Sequence, residues 1–435
     1  MNENNHDLDF KELAEKYPDF PRLLIRKLDA ELRGVVMTER AVKQAKDEGA
    51  LFEASAADHG QETSRPVFGG ALFRDGSWVL GMEPMFLQFP EGYTRKGNSY
   101  TIDAIDGRSW LFDGSEAVEE VFFTPYPAYF GKKTSRGTPM VKMVSARFPG
   151  LLFIYLYNRC DFWAEQMQCK YCSFPTRVFR RKPGFTQEDL DDIQETMNEA
   201  LKEEGKWMNI VLLAGSELSG ASPFDNEVAE YVKVLTTLRK TFSSEKVYAK
   251  LVASAFSREQ MLRLKEAGAT TYQPHIEVWD KKLFEWICPG KTKYFGRQYW
   301  IDSALSAVEI FGRGYVCTQF VGGVEMMQPY GFKTIDEALA STLEGAEFFA
   351  SHGVGPIAII HRLEKGSVFY TQDQKPAPLE YYVRLMKGIS DIHRKHNLSV
   401  DFNNYRCHPT GDLDRLHSAH ISNVPVGGAK SEGSL

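Results

Sequence analysis

The stretch Gly150-Leu-Leu-Phe-Ile-Tyr-Leu-Tyr-Asn-Arg-Cys160 decides the fold, and Asp161-Phe-Trp-Ala-Glu-Gln-Met-Gln-Cys169-Lys-Tyr-Cys172-Ser-Phe-Pro175 follows it directly. The first part is an apolar run of strand length, bounded by a glycine and by polar residues. Such a run predicts a strand that is buried on both faces. The second part therefore puts three cysteines at the carboxyl end of a strand, where barrels and open α/β sheets keep their chemistry.

The spacing of these cysteines indicates a metal centre. Cys160, Cys169 and Cys172 are separated by eight and then two residues, so the short turn and the longer loop can return all three thiolates to one place. Structural zinc needs four protein ligands, and the nearest downstream histidine is the distant His275. A 4Fe–4S cluster held by three cysteines instead leaves one iron open for a small molecule. The alternatives are a lone Cys-x-x-Cys pair that serves zinc binding or thiol redox chemistry, or cysteines that are buried by chance.

Composition and charge predict a large globular protein without a polymer partner. The chain has 435 residues, of which 43% are apolar and 25% charged, which suits a main domain with a smaller one. A net charge of −6 provides no basic region for nucleic acid or for a membrane surface. The start of the chain is polar and acidic, no apolar run reaches membrane-spanning length, and six cysteines are too few for a disulfide scaffold. We therefore expect a cytoplasmic protein.

Residues 1–145 are predicted to form an α+β accessory domain. The pattern from Asp9 to about Ala57 is helical, and two Asp-Gly pairs, at Asp75 and Asp106, predict β-hairpins. This part contains no cysteine, so we expect it to act as a lid or substrate wall and not to hold a cluster. The charged loop 132–136 is predicted to be solvated, with binding of a phosphate or carboxylate as the alternative.

After Cys172, helical and strand patterns alternate. Thr186, Ser257 and Thr334 each carry the start signal of a helix. Short apolar runs between the helices predict five further strands at 209–213, 247–253, 271–276, 315–321 and 356–360. Six strands separated by helices indicate an α/β fold with a parallel sheet and right-handed crossovers. Residues 403–435 are predicted to be a C-terminal extension with a flexible tail.

The loop Cys169-Lys170-Tyr171-Cys172 resembles part of the cluster loop of radical S-adenosylmethionine (radical SAM) enzymes. Their usual pattern is Cys-x3-Cys-x-aromatic-Cys, and this chain departs from it by having eight residues between the first two cysteines. The resemblance implies a partial (β/α)6 TIM-like barrel over residues 146–402. It also implies a 4Fe–4S cluster on Cys160, Cys169 and Cys172, and S-adenosyl-L-methionine as the second cofactor.

The resemblance further implies where S-adenosylmethionine binds. Ala214-Gly-Ser-Glu217 looks like the family's Gly-Gly-Glu motif, and Glu217 would accept hydrogen bonds from the methionyl ammonium. The other implied cofactor-binding residues stand at strand ends or in the cysteine loop: Tyr171, Gly215, Ser216, Ser254, Glu277, Gly322, Gly323 and Arg362. Ser254 would meet the ribose, Gly322 and Gly323 the adenine, and Arg362 the methionyl carboxylate or the substrate. His275 is predicted to be a hydrogen-bonded structural residue.

In the reaction that the resemblance implies, an electron reaches S-adenosylmethionine through the cluster, and the cofactor splits into methionine and a 5′-deoxyadenosyl radical. The radical then removes a hydrogen atom from a substrate, which we expect to be a small molecule in a biosynthetic pathway. Flavodoxin or ferredoxin is the expected electron donor. Segments Ile287–Lys291 and Arg406–Gly411 look like those in biosynthetic relatives of the biotin-synthase and lipoyl-synthase type. The alternatives are a non-catalytic scaffold that binds the cluster and S-adenosylmethionine, and a zinc or thiol redox protein.

Three cysteines remain outside the loop, namely Cys288, Cys317 and Cys407. Scattered single cysteines are mostly small buried hydrophobic residues. We therefore predict a single cluster, with an auxiliary cluster on these three residues as the alternative.

Overall fold

The computed structural model describes residues 7–53, 66–68, 71–73, 98–123, 125–147, 151–157, 159–173, 184–203, 207, 209–364, 366–372 and 374–398. Over these ranges, no helix has both the length and the apolar character that crossing a membrane requires. The predicted hairpin at Asp75, the C-terminal extension, Cys407 and segment Arg406–Gly411 lie outside the described residues.

The described N-terminal part is mixed α/β. Its helices are α1 (Phe10–Lys16), α2 (Arg22–Arg33), α3 (Glu39–Asp47) and α4 (Met140–Met143), with a 3-10 turn at Ala128–Gly131. Its strands are β1 (Val35–Met37), β2 (Leu51–Glu53), β3 (Pro66–Phe68), β4 (Ala71–Phe73), β5 (Tyr100–Ile105), β6 (Arg108–Asp113), β7 (Glu116–Phe123) and β8 (Ser145–Arg147). One sheet has the order β1-β5-β6-β7-β4.

The structure confirms the hairpin at Asp106 and corrects the helical prediction for residues 9–57. Asp106 and Gly107 have φ values of 51° and 75°, the left-handed conformation that a two-residue hairpin turn between β5 and β6 requires. Strands β1 and β2 interrupt the predicted helical region. The reason is tertiary, because β1 pairs in parallel with the distant β5, and a window of local sequence does not contain that partner.

Helices α1 and α2 pack with the following domain. Leu13, Leu24 and Leu28 belong to the same hydrophobic core as the strands that carry the cysteine loop, whereas Tyr100 and Leu111 of the N-terminal sheet belong to a separate core. A domain boundary at residue 145 remains a prediction. Helices α1 and α2 precede this position but share their hydrophobic core with the strands that follow it.

The second part of the chain alternates strands and helices. Its strands are β9 (Leu151–Tyr155), β10 (Asn209–Leu213), β11 (Ala249–Ala253), β12 (Gln273–Pro274), β13 (Val316–Gly322) and β14 (Val354–Ile360). Its helices are α5 (Asp161–Ala164), α6 (Gln187–Ala200), α7 (Asp225–Phe242), α8 (Arg258–Glu266), α9 (Lys281–Ile287), α10 (Pro289–Tyr294), α11 (Gly296–Phe311), α12 (Ile335–Ser351), α13 (Val368–Thr371) and α14 (Leu379–Lys395), with a 3-10 turn at Val324–Met326. All six predicted strands are present.

The six strands form an open parallel barrel. β9 to β12 lie side by side in chain order, with β8 antiparallel at the outer edge, and β13 pairs with β14. Backbone hydrogen bonds join the two groups, because the Cys317 N–H donates to the Tyr272 carbonyl at 3.0 Å and the Glu277 N–H donates to the Gln319 carbonyl at 2.8 Å. The described residues show no ladder between β14 and β9. The predicted partial barrel is therefore confirmed.

The predicted helix starts are also confirmed. The side chains of Thr186, Ser257 and Thr334 each accept a hydrogen bond from the backbone three residues later, and the residue at that position caps in return. Such reciprocal caps satisfy backbone N–H groups that the first turn of a helix leaves without partners.

The charged loop 132–136 is anchored to α6. Lys132 forms an ion pair with Glu199, an Arg136 guanidinium nitrogen lies 2.9 Å from the carboxylate of Asp192, and the Ser135 N–H donates to Glu195 at 2.9 Å. Its charges therefore serve contacts within the protein.

Candidate active site

The carboxyl ends of the barrel strands surround one cavity of about 440 Å³. All three cysteines of the loop, Cys160, Cys169 and Cys172, line this cavity. Its apolar lining comes from the first three strands and from the last two: Leu151, Phe153, Tyr155, Val211, Leu213, Val252, Val321, Ile359 and Ile360. Its polar groups come from strand ends and following segments: Ser216, Lys250, Ser254, His275, Glu277, Lys291, Gln319 and Arg362. The cavity thus has both apolar and polar lining residues.

The start of the cysteine loop packs on the end of β10. The Asp161 N–H donates to the Ser216 carbonyl at 2.8 Å, and the Asp161 carboxylate accepts from the Leu218 N–H at 2.7 Å. A Cβ atom on Gly215 would stand 2.3 Å from the Arg159 carbonyl oxygen and 2.7 Å from the Cβ of Cys160. Only glycine fits at this close contact. Packing of the loop against β10 therefore explains the glycine at position 215 without ligand binding.

The end of the loop packs on the segment Ile287–Lys291. The Lys170 N–H donates to the Ile287 carbonyl and the Gly290 N–H donates to the Met167 carbonyl, both at 2.9 Å. A Cβ atom on Gly290 would lie 2.6 Å from the ring of Phe162. The cysteine loop is therefore held from two sides.

The chemistry of the three thiols suits a cluster better than a single ion. Among the residues that the structure describes, no group of three or more His, Cys, Asp or Glu side chains is arranged to hold one metal ion. A zinc site needs such convergence. In a 4Fe–4S cluster, each cysteine binds a different iron, so the thiols have to line one cavity without meeting at a point.

The thiols differ in protonation. Burial raises the pKa of the Cys160 thiol to about 12. The pKa of Cys169 is lowered, chiefly by the neighbouring side chain of Cys288. Metal binding requires thiolates, so binding at Cys160 has to release a proton.

Ser254 is held by a buried carboxylate that the sequence reasoning missed, and the Ser216 hydroxyl contacts Ser254 in turn. Glu227 of α7 is fully buried. Its carboxylate accepts from the Ser254 N–H at 3.0 Å, from the Ser254 hydroxyl at 2.8 Å and from the Glu217 N–H at 3.2 Å. The hydroxyls of Ser254 and Ser216 are 2.8 Å apart. Burial raises the pKa of Glu227 to about 8. The sequence feature that could have indicated this role is a glutamate in the first turn of the helix after β10.

Glu217 is not one of the residues that line the cavity. Its carboxylate accepts from the Arg159 guanidinium and, at 2.6 Å, from the Ser219 hydroxyl. The role of Glu217 toward an ammonium group stays a prediction, and the Arg159 contact would compete with that ligand.

Glu277 and Lys291 form a buried ion pair that lines the cavity. The Lys291 Nζ atom lies 2.8 Å from the Glu277 carboxylate, donates to the His275 carbonyl at 2.8 Å, and stands 3.8 Å from the centre of the Trp300 ring. The second carboxylate oxygen of Glu277 is buried and has no hydrogen-bond partner. Burial opposes ionisation, but Lys291 outweighs it and lowers the pKa of Glu277.

The backbone at Glu277 is also unusual. Its φ of 69° is left-handed, which costs a non-glycine residue about 1–2 kcal/mol and is typical of functional sites. The strand end is thus held in a conformation that aims a carboxylate with one free oxygen at the cavity.

The histidines of the cavity are neutral near pH 7. Burial lowers the pKa of His275 and of His361 to about 4 each. The Nε2 atom of His275 is buried without a partner, so the prediction of a hydrogen-bonded structural histidine is not met at this atom.

Gly322 and Gly323 face α14 and do not appear in the cavity wall that the structure describes. A Cβ atom on Gly322 would lie 2.5 Å from Leu385, and one on Gly323 would lie 2.5 Å from the Tyr382 hydroxyl. Helix packing therefore explains both glycines, and contact with an adenine stays a prediction. Arg362 and Tyr171 do line the cavity.

Comparisons with known proteins find similar sequences. Residues 154–337 match the family described as the radical SAM superfamily. The bacteriochlorophyllide c C-7(1)-hydroxylase of Chlorobaculum limnaeum is 22% identical over 301 residues, which cover 66% of this chain and 71% of that protein.

Two solved structures overlap with about half of the chain. Methylornithine synthase is 13% identical with a TM-score of 0.37, over 55% of this chain and 63% of its own. The FeFe-hydrogenase maturase of Carboxydothermus hydrogenoformans is 17% identical with a TM-score of 0.42, over 57% of this chain and 52% of its own. The chain thus spans less than two thirds of the length of either structure.

An open parallel barrel with a three-cysteine loop after its first strand defines an enzyme that works at the carboxyl ends of its strands. Residues 154–337 form a radical SAM domain. Enzymes of this superfamily bind a 4Fe–4S cluster and S-adenosylmethionine. The donor set fits both groups, because three thiols share one cavity with an unpartnered carboxylate oxygen.

Proposed function

We propose that Cys160, Cys169 and Cys172 hold a 4Fe–4S cluster and that S-adenosylmethionine binds beside it in the same cavity. The observation that carries the proposal is that the three thiols line the cavity into which the polar strand ends open. When bound, the two groups supply a 5′-deoxyadenosyl radical after one-electron reduction, with flavodoxin or ferredoxin as the proposed donor. The radical removes a hydrogen atom from a substrate.

The residues of the chain orient the nucleoside part of the cofactor. Ser254 presents a hydroxyl group that Glu227 holds in position, Ser216 presents a second one beside it, and a ribose carries hydroxyls that suit such partners. The free oxygen of Glu277 is a further acceptor for a hydroxyl or an amino group, and its ion pair with Lys291 keeps it ionised.

At the other end of the cofactor, Glu217 takes the ammonium and Arg362 takes the carboxylate. Both contacts are charge-assisted hydrogen bonds, which are about twice as strong as neutral ones. Glu217 would exchange its present partner Arg159 for the ligand.

The substrate occupies the part of the cavity next to β9 and β10. Leu151, Phe153 and Val211 form a small hydrophobic cluster of their own on the inner barrel face, and such a wall excludes water from a reactive radical. This supports a small molecule with an apolar body. The hydroxylase named above acts on bacteriochlorophyllide c, which supports the functionalisation of a C–H bond in a biosynthetic pathway.

Cleavage of the cofactor tests the proposal without knowledge of the substrate. Protein reconstituted without oxygen and reduced with dithionite should convert S-adenosylmethionine to 5′-deoxyadenosine and methionine, both followed by liquid chromatography and mass spectrometry. Replacing any one of Cys160, Cys169 or Cys172 by alanine should abolish cleavage, because no other group occupies that cluster corner. The matched control is Cys317→Ala, since Cys317 is buried near the amino end of β13 and does not line the cavity.

Three other outcomes would change the assignment. Methylthioadenosine in place of 5′-deoxyadenosine would indicate aminocarboxypropyl transfer. A full cluster with intact S-adenosylmethionine would support a non-catalytic scaffold. Zinc instead of iron in protein purified without oxygen would support the zinc alternative.

A further inference from the structure

Lys250 is a charged residue within an apolar strand. It is the second residue of β11, Ala249-Lys-Leu-Val-Ala253, and it is only 1% exposed. The register of the parallel strands sets Lys250 beside Val211 of β10, and Val211 beside Phe153 of β9. All three residues line the cavity. The lysine therefore belongs to the inner face of the barrel and borders the apolar residues of β9 and β10.

Lys250 is also the cation that the contacts proposed for the cofactor do not use. Of the cavity-lining residues that the structure describes, three are positively charged, namely Lys250, Lys291 and Arg362. Lys291 lies 2.8 Å from the carboxylate of Glu277, and Arg362 is the residue proposed for the methionyl carboxylate. A desolvated ammonium group attracts an anion more strongly than an exposed one does, because water screens it less. The charge of Lys250 therefore suits an anionic group on a second ligand.

The position of Lys250 along its strand leaves room for such a ligand. Lys250, Val252 and Ser254 alternate along one face of the chain and all line the cavity. Ser254 is the residue proposed for the ribose, and four residues of extended chain span about 13 Å. The apolar body of a small molecule can thus lie between a cofactor at the strand end and an anionic group at Lys250.

The neighbouring strand β12 adds polar atoms without partners. Gln273 pairs in register with Val252, and the preceding Tyr272 belongs to the core on the outer face, so Gln273 lies on the inner face. Gln273 is fully buried, and neither its Oε1 nor its Nε2 atom has a hydrogen-bond partner. The Nε2 atom of His275, two residues further along, is buried without a partner as well. Buried polar atoms are nearly always hydrogen-bonded in native proteins, so these three atoms point to a ligand.

We propose that the substrate carries a carboxylate group, which Lys250 binds at the inner face of β11 with the Gln273 amide as a second donor. The inference rests on the proposed function, because it takes the cavity beside β9 and β10 as the substrate site. Ammonium and amide groups both donate to a carboxylate, and the bond from an ammonium is charge-assisted. The substrate class is therefore a small molecule with an apolar body and a carboxylate remote from the carbon that loses hydrogen.

The test uses octanoate as the probe and octanamide as its uncharged counterpart. The two share one apolar chain, so the ratio of their dissociation constants isolates the contribution of the carboxylate. Ligand-observed nuclear magnetic resonance measures both constants in the reconstituted full-length protein, with S-adenosylmethionine present and without a reductant, so that the cofactor occupies its own contacts. The unaltered protein should bind octanoate roughly tenfold more tightly than octanamide, because one charge-assisted hydrogen bond distinguishes them.

Substitutions of Lys250 test the source of this preference. Lys250→Met keeps an unbranched apolar side chain but removes the charge, so the ratio should fall to about one. Lys250→Arg keeps the charge and should keep a preference for octanoate. The matched control is Lys43→Met on α3, since Lys43 is an exposed lysine far from the cavity-lining residues in sequence. It should leave the ratio unchanged.

Gln273→Leu separates a ligand-binding role from a structural one, and it decides the inference even if Lys250→Met does not fold. Leucine removes an amide whose two polar atoms are buried without partners. The ligand-free variant should therefore melt at a higher temperature than the unaltered protein, yet bind octanoate about threefold more weakly. A glutamine that served the fold alone would give the reverse, a lower melting temperature with unchanged octanoate binding.

Several results would overturn the inference. Equal binding of the two probes by the unaltered protein would refute it, and so would an unchanged ratio in Lys250→Met, which would assign the preference to another cation. Iron analysis of the same samples keeps the proposed function apart. A protein without a cluster would refute the proposed function, while its probe ratio would still decide the inference, because Lys250 and Gln273 belong to the chain itself. A normal cluster with equal probe binding would refute the inference alone.

Discussion

Gly215 and Arg159 approach so closely that a Cβ atom on Gly215 would stand 2.3 Å from the Arg159 carbonyl oxygen. The contact joins the end of β10 to the residue before the first cysteine of the loop. The backbone at the end of β10 therefore packs directly against the start of the cysteine loop and fixes its position.

Gly215→Ala should therefore displace the cysteine loop. The added methyl group meets backbone, which cannot rotate away, and overpacking of this kind costs about 1–3 kcal/mol. We expect a lower melting temperature and less than a full complement of iron after reconstitution. Gly131→Ala is the control, since a Cβ atom there meets nothing within 4 Å. Full iron binding in Gly215→Ala would contradict the argument.

Glu227→Ala should destabilise the protein more than Glu227→Gln. Alanine leaves the Ser254 N–H, the Ser254 hydroxyl and the Glu217 N–H without their acceptor, and each unsatisfied buried group costs about 1–3 kcal/mol. Glutamine keeps an acceptor oxygen. Chemical denaturation measures the difference, and equal losses in the two variants would show that the network contributes little.

The pH dependence of stability should reveal the protonation of Glu227. Its folded-state pKa is about 8, against a usual value of 4.5, so folding takes up a proton between these values. The contribution to stability is fully present below about pH 4.5 and is lost as the pH rises through about 8. The difference in melting temperature between the unaltered protein and Glu227→Gln should shift in this direction from pH 5 to pH 9. A flat difference would exclude the protonated form.

The buried pair of Glu277 and Lys291 should behave as a unit. Lys291→Met leaves the Glu277 carboxylate buried without its partner, and breaking such a pair costs about 3–5 kcal/mol. The double variant Glu277→Gln with Lys291→Met should be more stable than Lys291→Met alone. A double-mutant cycle of unfolding free energies measures the coupling, and strict additivity would refute it. The exposed pair of Lys43 and Asp47 is a control in which coupling is expected to be small.

Glu217→Ala should weaken the binding of S-adenosylmethionine to the cluster-loaded protein. Loss of one charge-assisted hydrogen bond costs about 1.5–3 kcal/mol, which corresponds to roughly a 10- to 150-fold rise in Kd. Arg159→Gln should not weaken binding, because it removes the competing partner of the carboxylate. Equilibrium dialysis with labelled cofactor distinguishes the two. If Arg159→Gln weakened binding as much as Glu217→Ala, the residues would act together on the ligand.

The sequence by itself determined the barrel and its cysteine loop. Its strands are continuous apolar runs, and its helices begin at local capping signals such as Thr186 and Ser257, so both are decided by neighbours along the chain. The same holds for the hairpin at Asp106, where two residues in left-handed conformation suffice to set the turn.

Only the tertiary structure decided how the site is supported. Strand β1 depends on the distant β5, and α1 and α2 pack into the barrel core from the other side of the predicted division at residue 145. The carboxylate of Glu227 holds Ser254, and Lys291 pairs with Glu277; both residues belong to helices that follow the strands. Hydrogen bonds and ion pairs of this kind join residues far apart in sequence, and no local pattern specifies which side chains meet when the chain closes around the core.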